Sequence, residues 1–369
     1  MSVFDCHVRT DTSPKVLSES IFTFWNRSGK PSSEACRELI EGWVSHLPEA
    51  EQDNLRSRFR SGSDHDCGAA FQELCLHEFL LRQQCTVFLH PLLPGTTNHP
   101  DYRVLQPDRT EFILEAVAST TLSRGPEINP LRNPIRDRLQ KLRLDGFYIG
   151  IDELTAGTRA IAWRSVERHI NEQIKKVAAD RFGSIPLPPL TTVDGWRLKL
   201  TLWPRPSDAD SGVSYEGWSG TAEGPASALV ASLRKKGSRY GELGLPFVVA
   251  VNSFDVMCTD HDFDRVLFGD PPNSAMIRPQ SGFWGAPAAP LFRRVSAVLF
   301  TKNLWPETVL MGQVQACLYF NPWAHLPYRG VFSALDSVEY VNGVLQRKRG
   351  VPLHHLLGVT ARTSHELGF

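Results

Sequence analysis

The sequence predicts an α/β protein with a mixed sheet flanked by helices, and three observations carry that expectation. Apolar residues recur at helical 3–4 spacing in several segments, among them Cys36, Leu39, Ile40, Trp43, Val44 and Leu47. Two alternating runs, HPDYRVLQ and TEFILEAV, flank Pro107-Asp108-Arg109, the signal of a hairpin with a three-residue connection. After residue 144 strand-like runs alternate with helix-like ones, either continuing that sheet or forming a second layer.

In chain order, residues 1–66 form a helical N-terminal segment. Its first helix follows Ser32-Ser33-Glu34, a second spans Glu49–Phe59, and a polar linker covers 62–68. A core over 67–151 begins with a helix from Ala69 to Gln83, with Phe71, Leu74, Cys75 and Phe79 on one side. A strand over Thr86–His90, a loop over Leu92–Asn98 and the hairpin follow. Thr121–Asn133 is a loop, Pro134 starts a helix reaching Arg143, and Phe147–Ile151 alternates as a strand. Residues 152–325 hold additional α/β structure. Its helix Trp163–Phe182 carries Val166, Ile170, Ile174 and Val177, with Gly183 placed as a C-cap. WRLKLTLW (196–203) alternates as a strand, and 204–224 is a Pro/Ser/Asp/Gly loop. Pro225–Lys236 is a helix; Pro246–Val251, Val295–Phe300 and Ala316–Phe320 are strands. The last segment, 326–369, ends in 35 residues that take no assignment.

Composition narrows the function. Forty basic residues balance forty acidic ones among 369, so any nucleic-acid binding needs a local basic face rather than net charge. The first residues lack an apolar leader core and no run of about 18 apolar residues occurs, which predicts a soluble, cytoplasmic protein without membrane contact. Seven cysteines without CxxC spacing predict reduced thiols.

The hairpin carries the candidate chemistry. If Gln106 faces Thr110, Leu105 pairs with Glu111, Arg103 with Ile113, and Asp101 with Glu115. Directly opposed side chains lie about 5 Å apart at Cβ, so two carboxylates there repel unless a cation sits between them. Hard cations such as Mg²⁺ take such oxygen ligands.

Pro100-Asp101 at the head of one strand, Glu115 in FILEAV at the end of the next, and Glu73 in the preceding helix FQELCLHEFLLRQ together resemble the PD-(D/E)XK nuclease superfamily. The resemblance implies a restriction-endonuclease-like core in the order helix, strand, hairpin, helix, strand. It implies an Mg²⁺- or Mn²⁺-dependent nuclease acting on DNA, with a role in cutting foreign DNA. Asp101 and Glu115 are then metal ligands and Glu73 an assisting one, Glu78 being the alternative on that helix. The family's Lys two residues after the strand Glu is Val117 here, so a basic group from elsewhere has to serve. Lys141 is the first candidate and Arg103 the second. The same fold also serves a non-catalytic nucleic-acid- or protein-binding module, and a homodimer or partner protein is open.

Arg132, Arg136, Arg138, Lys141 and Arg143 share faces of one helix and are the expected phosphate contacts. Arg234, Lys235, Lys236 and Arg239 form a second cluster, and Arg347, Lys348 and Arg349 a third; each alone reads as a solvated face. Cys258 with His261, and His65 with Cys67, each offer two zinc ligands where a structural site needs four. His77, one turn after Glu73, reads as a surface residue. No phosphate-binding loop, dinucleotide fingerprint or nucleophile elbow occurs.

Overall fold

Ser63 sets the start of the longest helix. Its Oγ accepts a hydrogen bond from the Asp66 amide at 3.2 Å, and Asp64 and Asp66 put negative charge in the first turn. The stretch expected as a linker is therefore already helical from Asp64. The structure is a computed structural model that describes residues 2–16, 18–93, 97–119, 132–140, 142, 147–176, 185–204, 225–241, 243–254, 258–269 and 282–368.

The elements run α1 (Ile21–Arg27), α2 (Pro31–Val44), α3 (Glu49–Phe59), α4 (Asp64–Arg82), β1 (Thr86–Leu89), β2 (Tyr102–Leu105) and β3 (Glu111–Ser119). They continue α5 (Arg132–Gln140), β4 (Phe147–Thr155), α6 (Trp163–Ile174), β5 (Ile185–Pro186), β6 (Leu190–Thr191) and β7 (Arg197–Pro204). Then come α7 (Pro225–Gly237), β8 (Phe247–Ser253), α8 (Asp260–Phe268), β9 (Gly285–Ala286), β10 (Ala289–Pro290) and β11 (Val295–Lys302). The chain closes with α9 (Pro306–Leu310), β12 (Gln315–Phe320), β13 (Asp336–Val341), β14 (Val344–Lys348) and α10 (Leu353–Leu356).

The protein is α/β, with a large mixed sheet flanked by helices. Among the described residues that sheet has eight strands in the order β1-β2-β3-β8-β11-β12-β13-β14. The strand period of two divides β3 between two apolar layers. Phe112, Leu114 and Ala116 join Phe71, Leu74 and Phe79 of α4 on one face. Ile113 joins Leu229 and Leu233 of α7 and Val266 and Leu267 of α8 on the other. Every residue of β8 is buried, as suits a parallel strand covered on both faces.

The chain divides into two compact units, Met1–Ser13 with Ile21–Glu127 and Glu223–Phe369, and Pro14–Ser20 with Ile128–Ala222. The second unit pairs β4, β7 and β5 antiparallel, with β6 also on β7, over a core of Ile135, Ile149, Val166, Ile170, Leu198 and Leu200. This corrects the boundary expected at residue 151. The helix and strand after the hairpin, α5 and β4, belong to the second unit, so the expected 152–325 region is split as well. The strand beside β3 is β8, reached through α7. Glu115 and the helix that reaches it thus sit on either side of a long insertion in the chain.

Candidate active site

The hairpin adopts the register its sequence predicts. Arg103 pairs with Ile113 and Leu105 with Glu111, and the Gln106 amide donates to the Thr110 carbonyl at 2.8 Å. Arg109 closes the turn with φ +68°, the left-handed residue a three-residue connection requires, and the Asp108 carboxylate accepts from the Thr110 amide at 3.0 Å. Beyond the ladder each carboxylate accepts from a backbone amide of the opposite strand end. Asp101 Oδ2 accepts from the Ala116 amide at 2.6 Å, and Glu115 Oε2 from the Asp101 amide at 3.3 Å. The expected opposition of Asp101 and Glu115 is therefore present.

Glu115 is fully buried, on the sheet face that also carries Ile113. A carboxylate there costs several kcal/mol unless it is paired and hydrogen-bonded. Helix α7 and the turn after it supply the partners: Lys236 Nζ lies 2.5 Å from Oε1, with Arg239 Nη1 3.4 Å from the same oxygen. The Tyr240 hydroxyl lies 2.7 Å from Oε2 and 2.9 Å from the His99 carbonyl, and its single proton favours the charged acceptor. The end of α7 is held in turn by Arg294, whose Nε donates to the Gly237 carbonyl at 2.8 Å and whose Nη1 donates to that of Tyr240.

Sequence reasoning places Lys236 in a solvated basic run, yet its spacing holds the signal. Leu229, Leu233, Lys236 and Tyr240 stand at i, i+4, i+7 and i+11, and the two leucines and the tyrosine are buried. A lysine on the sheet-facing stripe of a helix needs an acid opposite it.

Asp101 is the less neutralised partner. Burial, then the charge of Glu115, then that of Glu73 push its pKa up to about 7, against the lowering effects of the Ala116 amide and Lys236. No described residue bonds its Oδ1.

Glu73, expected as the assisting ligand, is instead held by a two-pronged pair with Arg58, whose Nη2 lies 2.7 Å from Oε1 and whose Nη1 reaches Oε2. Tyr102 ties the same turn of α4 through a 2.9 Å bond to the Glu73 carbonyl. Glu78 is buried between His46 and Arg82, 2.7 Å from each. His77 is not a surface residue; it is buried with Nδ1 unbonded, beside a cavity of about 30 Å³ also lined by Arg58 and Glu73.

Of the proposed substitutes for the motif Lys, Arg103 pairs with Glu111 at 2.6 Å, its side chain about half exposed. Lys141 lies outside the described residues, as do Arg143 and the side chains of Arg132 and Arg136. Arg138 stacks on Trp163 at 4.9 Å. In the third basic cluster, Arg347 pairs with Asp264 and Arg349 with Asp336.

Asp101 and Glu115 fit a hard cation by donor type. Mg²⁺ commonly takes one or two carboxylates and completes its shell with water and phosphate oxygens. The unbonded Oδ1, and the burial and neighbouring negative charge that raise the Asp101 pKa, agree with such a ligand pair. A third protein ligand does not join them: among the described residues no group of three His, Cys, Asp or Glu side chains is placed to hold one ion. Among the described residues neither zinc pair belongs to a group of three such side chains. No helix among the described residues is long and apolar enough to cross a membrane. A scan against protein-family models finds no match to the chain, and searches of curated proteins and of solved structures find none.

Proposed function

We propose that the protein is a divalent-metal-dependent nuclease that hydrolyses DNA phosphodiester bonds. The observation that carries this reading is Lys236, which reaches buried Glu115 directly across from Asp101. The order α4, β1, β2–β3 hairpin, α7, β8 supports a restriction-endonuclease-like core of the PD-(D/E)XK type, interrupted between β3 and α7. In this reading Lys236 takes the part of the motif Lys that Val117 cannot play.

Asp101 and Glu115 hold Mg²⁺ or Mn²⁺, which when bound neutralises phosphodiester charge and lowers the pKa of its water. Lys236, with three donor hydrogens, keeps one on Glu115 and offers another to the attacking water or a phosphate oxygen. Arg239 adds positive charge beside it, and Tyr240 fixes the Glu115 carboxylate. Glu73 orients Arg58 and acts on Asp101 through its charge. A cytoplasmic role in cutting foreign DNA goes with this reading.

A non-catalytic DNA- or protein-binding module on the same core is the second reading. It is favoured by one observation: both Glu115 oxygens already have protein partners. Purified protein incubated with plasmid and Mn²⁺, beside Asp101→Ala and Glu115→Ala, separates the two. Cleavage by the wild type alone supports the nuclease. No cleavage by any of the three proteins, with DNA binding retained, supports the module.

A further inference from the structure

We infer that helix α6 of the second unit is a docking surface for the phosphate backbone of duplex DNA; this rests on the nuclease reading for the choice of ligand. Residues 128–222 carry fourteen basic and eleven acidic residues in a chain of zero net charge, so the insertion is the basic part. Within it, Arg164, Arg168, Asn171 and Lys175 stand at i, i+4, i+7 and i+11, and all four are exposed. The stripe spans about 16 Å of helix axis, close to the rise of five base pairs at about 3.4 Å each.

The fold does not need these cations. Val166 and Ile170, on another side of α6, make its buried contact. Arg164 sits in the first turn, where the helix dipole disfavours positive charge and no acidic residue lies in that turn to offset it. Glu167 and Glu172 border the stripe, yet none of its three cations is within ion-pair distance of a described carboxylate. In the first unit Arg27, Arg56, Arg60, Arg82, Arg103 and Arg349 each have an acidic partner; what sets α6 apart is that its three exposed cations lie in one row along a single helix. A row of unpaired, exposed cations with an interleaved amide matches phosphate oxygens in charge and hydrogen bonding. An anionic membrane fits poorly, because the apolar side of α6 is already buried and leaves nothing to insert.

The test is anisotropy of a labelled DNA duplex with full-length protein in EDTA, across about 50–200 mM salt. The wild type is compared with Arg164→Ala/Arg168→Ala/Lys175→Ala and with the equal-charge control Lys348→Ala/Arg349→Ala/Arg362→Ala. Each phosphate contact contributes about 0.9 to the salt slope, so the α6 variant should lose about 2–3 units of slope and the control none. Circular dichroism should show both variants folded, since every altered side chain is exposed.

An unchanged slope in the α6 variant, equal loss in both variants, no binding by the wild type, or α6-dependent capture only by duplex RNA or phosphatidylserine vesicles overturns the inference. The nuclease reading fails separately. Absence of plasmid cleavage alongside α6-dependent binding removes the activity and keeps the surface; normal cleavage with unaltered KM in the α6 variant does the reverse.

Discussion

Lys236→Met is expected to destabilise the protein by about 2–3 kcal/mol, and adding Glu115→Gln is expected to recover most of that loss. Removing one member of a buried ion pair typically costs about 3–5 kcal/mol, because the other charge stays buried without its partner. The value here falls below that range for two reasons. Arg239 and Tyr240 still reach Glu115, and the Lys236 side chain is 18% exposed. In the double variant neither charge remains, while the amide carbonyl introduced by Glu115→Gln can still accept from Tyr240. Urea unfolding of the wild type, both single variants and the double gives the coupling energy directly. Cleavage should stay lost in the double variant although its stability returns. A structural cluster with no catalytic part would recover both or lack both.

Asp101→Asn is expected to do the opposite to stability while also removing cleavage. The folded-state pKa of Asp101 lies above its unfolded value of 3.8, near 7. The folded protein therefore holds the Asp101 proton more tightly than the unfolded chain. The stability this contributes is fully present below about pH 4 and is lost as pH rises through about 7. In EDTA, Asp101→Asn should exceed the wild type by up to about 4 kcal/mol at pH 8 and match it near pH 4. Its amide oxygen keeps the Ala116 bond. Cleavage should fall by at least about 100-fold, the upper end of what loss of a supporting residue costs at a metal site. In the wild type cleavage should rise with pH through about 7, since only the ionised carboxylate can ligate. Stability and activity moving in opposite directions is the mark of a charge kept for chemistry.

The hairpin is legible because its register depends on local turn chemistry: Pro107-Asp108-Arg109 sets the loop, and every pairing outward follows. The parallel neighbour of β3 is harder to read. Periodicity marks 147–151 as a strand but does not say which strand it pairs with, so nearness in the chain points to the wrong segment. The unbroken apolar run of 247–251 holds the better clue, since a central parallel strand is covered on both faces. The Lys236 stripe is easily missed, because a run of three basic residues looks solvated until the positions of Leu229 and Leu233 are set beside it. The unassigned tail holds an unused signal. Asn342 and Gly343, at φ +51° and +87°, make the two-residue turn between β13 and β14 that an Asn-Gly between alternating runs announces. No sequence pattern tells that Arg58 holds Glu73, because that pair depends on how α3 packs against α4.

The central claim is that Asp101 and Glu115 together hold one divalent cation. Calorimetric titration of the full chain with Mn²⁺ at about pH 8, repeated on Asp101→Asn, tests it most directly. The expected result is a single site in the wild type that weakens at least about tenfold in the variant, with a proton released on binding as the pH is lowered toward 7. No binding by the wild type at millimolar Mn²⁺, or equal binding by both proteins, contradicts it.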